Sequence, residues 1–275
     1  MPSERQFGAL AAVAALLLVA TAVGPAVVGG RPAYEIPVRE VDDGTQFTDP
    51  TAETWLNVSS VEVPLESAPS SAPNASNVTV DSLHVRAVRT DGELYLRLSW
   101  PDSSENRTAS APRQFADKVA VEMPVNTSAR PPIAMGSTSN AVNVWVWDGA
   151  AGTQELLAGG PGTTTRFPNA TVRANATYRD GRWAVVFHRD LRVDGANRTD
   201  VQFESDLNVA FAVWNGGNME RAGRKSVSEW YYLPFAPEAG GPPYETLLWA
   251  VAGLAILVVV AVTVEGVRRA REEGE

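Results

Sequence analysis

Cysteine is absent from the 275 residues. Without thiols the chain forms no disulfide, no zinc–thiolate centre, no iron–sulfur cluster of its own and no c-type haem attachment. Histidine is limited to His84 and His188, each inside a strand-like run, with no partner pattern for a Ser-His-Asp arrangement. A basic excess is lacking too: the net charge is −9 and the pI about 4.9, so nothing is offered to neutralise a phosphate backbone, and nucleic acid is not an expected partner. The many carboxylates are scattered through turns, and no glycosidase-like pair stands out.

Lysine is nearly missing. Among 23 basic side chains only Lys118 and Lys225 are lysines, and all others are arginines. Arginine keeps its proton and cannot ligate a metal, whereas a desolvated lysine amine can lose its proton and ligate one. A lysine retained in such a chain is a candidate for work that arginine cannot do, although codon bias alone would also thin out lysine. Lys225 draws attention because residues 203–233 hold an alternating strand (Leu207, Val209, Phe211, Val213), a loop Trp214-Asn215-Gly216-Gly217, a charged turn and an aromatic strand.

Two long apolar runs frame the chain. Residues 7–29 follow a short start carrying Arg5 and read as a signal peptide or a signal anchor; small residues near Gly24 and Ala26 permit cleavage, and the run is also long enough to span. Residues 246–264 are uncharged, with Tyr244 and Trp249 placed for an outer interfacial belt and Arg268, Arg269 and Arg271 directly after. This predicts a transmembrane helix with a cytoplasmic C-terminus. The layout expected is a signal or anchor at 1–30, an extracytoplasmic domain at 31–240, a span at 245–265 and a cytoplasmic tail at 266–275. Sequons at Asn57, Asn74, Asn77, Asn106, Asn126, Asn169, Asn175 and Asn197 all fall between the two runs, which suits an exported, glycosylated surface.

Short alternating runs fill the middle. Strands are predicted within 54–64, 78–87, 93–100, 117–123, 141–147, 171–178, 182–188 and 207–213, with Asp91-Gly92 and Asp180-Gly181 as hairpin turns. Residues 66–77 and 148–170 read as loops rich in Ser, Pro, Gly and Thr. In 141–147, Asn143, Trp145 and Trp147 share one face and Val142, Val144 and Val146 the other. No amphipathic helix is evident. The fold class expected is all-β, an antiparallel β-sandwich ectodomain with the N-terminal signal or anchor segment and the C-terminal transmembrane helix.

Chemistry-bearing candidates are few. Asp102 and Asp117 flank a loop and could bind calcium, though solvated loop acids are the plainer reading. Met135 lies in a loop between Pro131-Pro132 and the Trp-rich strand, next to Gly136, where a thioether can be presented to a cofactor. Ordered blocks then carry a resemblance: Asp91-Gly92-Glu93-Leu94-Tyr95-Leu96 with Leu98-Ser99-Trp100-Pro101-Asp102; Phe115-Ala116-Asp117-Lys118; Met135-Gly136 before Val142-Asn143-Val144-Trp145; and Val209-Ala210-Phe211-Ala212-Val213-Trp214-Asn215-Gly216 with Gly223-Arg224-Lys225 and Trp230. In this order they resemble the haem-binding gamma subunits of ethylbenzene dehydrogenase and related molybdenum enzymes.

The resemblance implies a β-sandwich holding haem b non-covalently, with Met135 and Lys225 as axial ligands of the iron. It implies electron relay within a respiratory oxidoreductase, beside an iron–sulfur subunit and a molybdopterin catalytic subunit, with no catalytic site on this chain. The C-terminal span departs from the soluble members of that group and suggests tethering to the outer face of the cell membrane. An alternative is a carbohydrate-binding or adhesive surface module, in which Trp145, Trp147 and Trp230 would stack on sugar rings.

Overall fold

Alternation of side chains decides the layers. The computed structural model describes residues 33–201 and 205–235, and scattered positions between 249 and 268. One compact unit spans Ala33–Pro237. Its strands are β1 (Val38–Glu40), β2 (Val61–Pro64), β3 (Glu66–Ser67), β4 (Ser82–Arg89), β5 (Glu93–Pro101), β6 (Lys118–Pro124), β7 (Val142–Asp148), β8 (Gly152–Ala158), β9 (Thr165–Arg166), β10 (Arg173–Arg179), β11 (Arg182–Asp190), β12 (Leu207–Trp214), β13 (Ser226–Val227) and β14 (Tyr231–Leu233).

These strands form two sheets. One runs β1-β4-β5-β11-β10, with β2 also on β4; the other runs β3-β13-β12-β6-β7-β8-β9, with β14 also on β12. Pairing is antiparallel except between β1 and β4. Leu83, Val85 and Ala87 of β4, Leu96, Leu98 and Trp100 of β5, and Val185 and Phe187 of β11 face Val121 and Met123 of β6, Trp145 of β7, and Val209 and Phe211 of β12 in one buried cluster. Each of the Val, Leu, Met and Phe side chains among them contributes about 1.5–3 kcal/mol by leaving water. A slip of one residue in any pairing would turn its set to the wrong side, so the core fixes the register.

The larger sheet is apolar on both faces. Every residue of β7 is buried, which an antiparallel strand tolerates only when something covers its outer side. That outer side carries Ala120, Val142, Val144, Val146, Ala158, Ala210, Ala212 and Trp230, with Ile133, Met135 and Trp214 packed against them. The cover comes from the β6–β7 loop and from the segment around β13. This second apolar cluster is where the chemistry-bearing residues collect.

The predicted all-β antiparallel sandwich is the architecture found, with local corrections, among them the short strand β3 at the start of the expected 66–77 loop. The stretch 148–170, expected to be loop, contains β8 and β9, and β8 pairs along its whole length with β7. Its sequence, Gly152-Thr-Gln-Glu-Leu-Leu-Ala158, lacks Val and Ile, so its extended form is imposed by the neighbouring strand. The first predicted strand begins instead as a 3-10 turn at Glu53–Asn57, which buries Trp55 against Phe47.

The expected signal or anchor segment lies outside the described residues. So does much of the 245–275 region. Among the described residues no helix is long and apolar enough to cross a membrane. The described positions within 249–268 are helical, and Thr263 donates its hydroxyl to the Val259 carbonyl at 2.7 Å.

Candidate functional site

Met135 and Lys225, ninety residues apart, meet over the outer face of the larger sheet, with Lys225 Nζ 4.0 Å from Met135 Sδ. Met135 has a left-handed backbone, φ 68°, as has Gly136 at 72°. For a methionine this is an unusual and costly conformation. It is held by Met135 N donating to Ile133 O at 3.0 Å, Gly136 N to Pro132 O at 2.9 Å and Gly160 N to Met135 O at 2.9 Å. Gly136 is obligatory here, since a Cβ would lie 2.9 Å from the Asn140 carbonyl.

Lys225 enters from the turn before β13. Its Nζ lies 4.9 Å from the centroid of the Trp214 ring. Burial pulls the amine down from its ordinary pKa, and only the charge of Glu122 works in the other direction. Glu122 stands on the same face, in register with Ala210 on one side and Val144 on the other. Burial pushes its carboxyl up to about 8, against a lowering by Lys225, and its Oε1 has no hydrogen-bond partner. Both groups are therefore biased toward neutrality. Lys118, the other lysine, makes an ordinary ion pair with Asp148 at 2.6 Å.

Two buried carboxylates hold the turn that carries Lys225. Glu220, fully buried, accepts from Thr79 N at 3.0 Å and Asn218 Nδ2 at 3.0 Å through Oε1, and from Asn215 N at 3.0 Å through Oε2. Asp117, also fully buried, accepts from Asn106 N at 2.7 Å, Gly216 N at 2.8 Å and Trp183 Nε1 at 3.0 Å. Arg224 Nε donates to Asn77 O at 2.8 Å. Of the charged turn, Glu220 and Arg224 are thus internal braces, while the exposed Arg221 lies 4.6 Å over the Phe115 ring.

The donor set suits a metal held between a soft thioether and a neutral amine. Their 4.0 Å separation is somewhat shorter than the combined length of a metal–sulfur and a metal–nitrogen bond, about 2.3 and about 2.1 Å if zinc is the guide, so one metal ion can reach both donors. A bare ion would need further ligands. Among the described residues no group of three His, Cys, Asp or Glu could supply them. A metal that brings its own equatorial ligands, as in haem, fits the two donors and the apolar surface beneath them.

The other sequence candidates separate from this site. His188 stacks on Tyr95 at 5.6 Å on the smaller sheet, its pKa lowered chiefly by burial, and His84 lies on β4 of that sheet. Asp117 is filled by N–H donors; Asp102 accepts from Ser104 N at 3.0 Å through Oδ1 while its Oδ2 is buried without a partner, and among the described residues no group of three His, Cys, Asp or Glu gathers to hold a metal ion. Trp145 and Trp147 are 0% and 5% exposed inside the sandwich. These two cannot stack on a sugar, and Trp230, the third ring of the carbohydrate reading, is 9% exposed in the outer apolar cluster. The sequon asparagines are exposed except Asn106, which is half-buried and donates to Ser104 Oγ at 2.7 Å. Sequence reading missed Glu122 and the alanines at 120, 210 and 212. Their signal is that β6, β7 and β12 are apolar on both sides.

Comparison with known proteins places these residues in context. The profile of the ethylbenzene dehydrogenase family matches residues 52–169 and 163–226. A protein of Haloferax mediterranei named as a respiratory nitrate reductase heme subunit is 54% identical over 268 residues, 97% of either chain. The chlorate reductase subunit gamma of Ideonella dechloratans is 35% identical over 70% of this chain and 81% of its own. The dimethylsulfide dehydrogenase subunit gamma of Rhodovulum sulfidophilum is 30% identical over 77% and 85%. A family 9 carbohydrate-binding module from Caldicellulosiruptor kristjanssonii, solved with glucose, is 12% identical with a TM-score of 0.42, covering 74% of this chain and all of that one. That likeness is too distant to bear on function.

Proposed function

The chain belongs to the ethylbenzene dehydrogenase family, and on that premise we propose that it is a membrane-anchored b-type cytochrome subunit. It relays electrons to or from an iron–sulfur and molybdopterin oxidoreductase on the outer face of the membrane. The observation that carries this reading is the meeting of Met135 Sδ and Lys225 Nζ at 4.0 Å, part-buried, over an apolar face.

Met135 and Lys225 would hold the iron in this reading. Haem held there supplies a one-electron ferrous–ferric couple, with the soft thioether favouring the ferrous state. Lys225 must be neutral to donate its lone pair, and its burial favours that form. Glu122, kept protonated by the same burial, leaves no opposing charge to hold the proton on the lysine. Asp117 and Glu220 fix the turn, so that Lys225 is presented without reorganisation.

The partner follows from what the chain lacks. With no cysteine it ligates no iron–sulfur cluster, and among the described residues no group of three His, Cys, Asp or Glu could hold a metal ion. Relatives named as subunits of nitrate, chlorate and dimethylsulfide enzymes support an iron–sulfur and a molybdopterin subunit as neighbours. The apolar run 246–264 and the arginines after it support an anchor with the sandwich outside the cytoplasm. The described helical positions there expose Trp249, Ile256, Val259, Val260 and Val264.

The test is the haem content of the purified full chain, expressed with haem available. One b-type haem per chain is expected. A folded, colourless protein would overturn the reading.

A further inference from the structure

Several tryptophan indoles of this chain have ordinary partners: Trp55 Nε1 donates to Asp49 O at 3.0 Å, Trp183 Nε1 to Asp117 at 3.0 Å and Trp214 Nε1 to Ala222 O at 3.1 Å. Three indole nitrogens, among the described residues, are buried with no acceptor: those of Trp100, Trp145 and Trp230. Trp100 and Trp145 lie between the sheets. Trp230 is different. It is 9% exposed and sits in the outer cluster, with Met135 packed against that same cluster.

The surroundings offer Trp230 nothing to bind. Its cluster is made of Ala120, Ala210, Ala212 and the outward valines of β7. Glu122 stands on that face, yet neither it nor Trp230 satisfies the other, since both Glu122 Oε1 and Trp230 Nε1 are orphaned. A buried donor without an acceptor is costly, and such groups are normally paired. Beneath it, Ala120 and Ala212 are register partners and Ala210 is next but one along β12. All three are buried, and as alanines they make a flat, small-residue floor within the cluster that Trp230 joins and Met135 packs against. An orphaned donor beside a shallow apolar floor describes a place for a flat ligand with an acceptor at its rim.

We propose that Trp230 Nε1–H binds a carboxylate at the rim of the haem, orienting the ring over the Ala120–Ala210–Ala212 floor. This rests on the haem reading above. The propionate carboxylates are the acceptors that haem b brings, and an N–H donor to an ionised oxygen is the stronger kind of hydrogen bond. Trp230 is thus a positioning residue that touches the cofactor without touching the iron.

The test compares haem b with its dimethyl ester, whose esters carry no charge. Both are loaded on the full chain, and loss to an excess of apomyoglobin is timed. Trp230→Phe should release haem b roughly tenfold faster, the worth of one charge-assisted hydrogen bond, and leave release of the ester unchanged. Trp230→His, which keeps a ring N–H, should restore part of the discrimination. Equal acceleration of both forms, or no difference between them in the wild type, overturns this inference and leaves the haem reading intact. A wild-type chain that takes up neither form overturns both.

Discussion

Asp117 Oδ1 accepts the Gly216 amide at 2.8 Å across 99 residues of chain, joining the start of β6 to the loop that leads to Lys225. The same carboxylate takes N–H groups from Asn106 and Trp183. Removing it would strand three donors in a dry site. Asp117→Ala should cost roughly 3–5 kcal/mol, read as a lowered urea midpoint, with Asp117→Asn costing less because one acceptor oxygen remains. An unchanged midpoint in Asp117→Ala would show that the loop does not depend on this bond.

Gly216 tests the same joint from the other side. A Cβ there would lie 1.9 Å from the Phe115 carbonyl oxygen and 2.7 Å from its carbon, both backbone atoms. Gly216→Ala should destabilise by about 1–3 kcal/mol or more and expose residues 215–225 to limited proteolysis. Gly92→Ala, where an added Cβ meets nothing within 4 Å, is the control and should lie within about 0.5 kcal/mol of wild type.

Glu122 gives a pH dependence of definite sign. Its carboxyl titrates near 8 in the fold against 4.5 as its ordinary value, so the unfolded chain gives up this proton first. The stability linked to it is complete below about 4.5 and is lost as pH rises toward 8. Lys225, pushed down from 10.5 by burial, acts the opposite way: stability is gained as pH rises through its lowered folded value toward 10.5. Haem-free wild type should therefore show a urea midpoint that falls between pH 5 and 8, and Glu122→Gln should flatten that fall. An equal slope in both proteins would remove Glu122 from the account.

The sandwich was legible because alternation writes itself directly into β4, β5, β11 and β12, where inward positions are Leu, Val, Ala, Trp or Phe. β8 was not, because its extended form is borrowed from β7 rather than encoded in its own side chains. Lys225 stood out by scarcity, and Met135 by its place beside Gly136. Their meeting could not be read from spacing, since it depends on the left-handed turn at Met135 and on a brace from Asp117 that is distant in sequence. Glu122 was invisible for a plainer reason: one carboxylate among 32 acidic residues carries no mark of the apolar face it will occupy.

The central claim is that Met135 and Lys225 bind the same iron. It is tested most directly by reduced and oxidised absorption spectra of the purified full chain, compared for wild type, Met135→Leu and Lys225→Arg. The account predicts a low-spin b-type spectrum in wild type that becomes high-spin, or disappears, in each variant, including the arginine that keeps the charge and loses the ligand. A low-spin spectrum unchanged in both variants would contradict it.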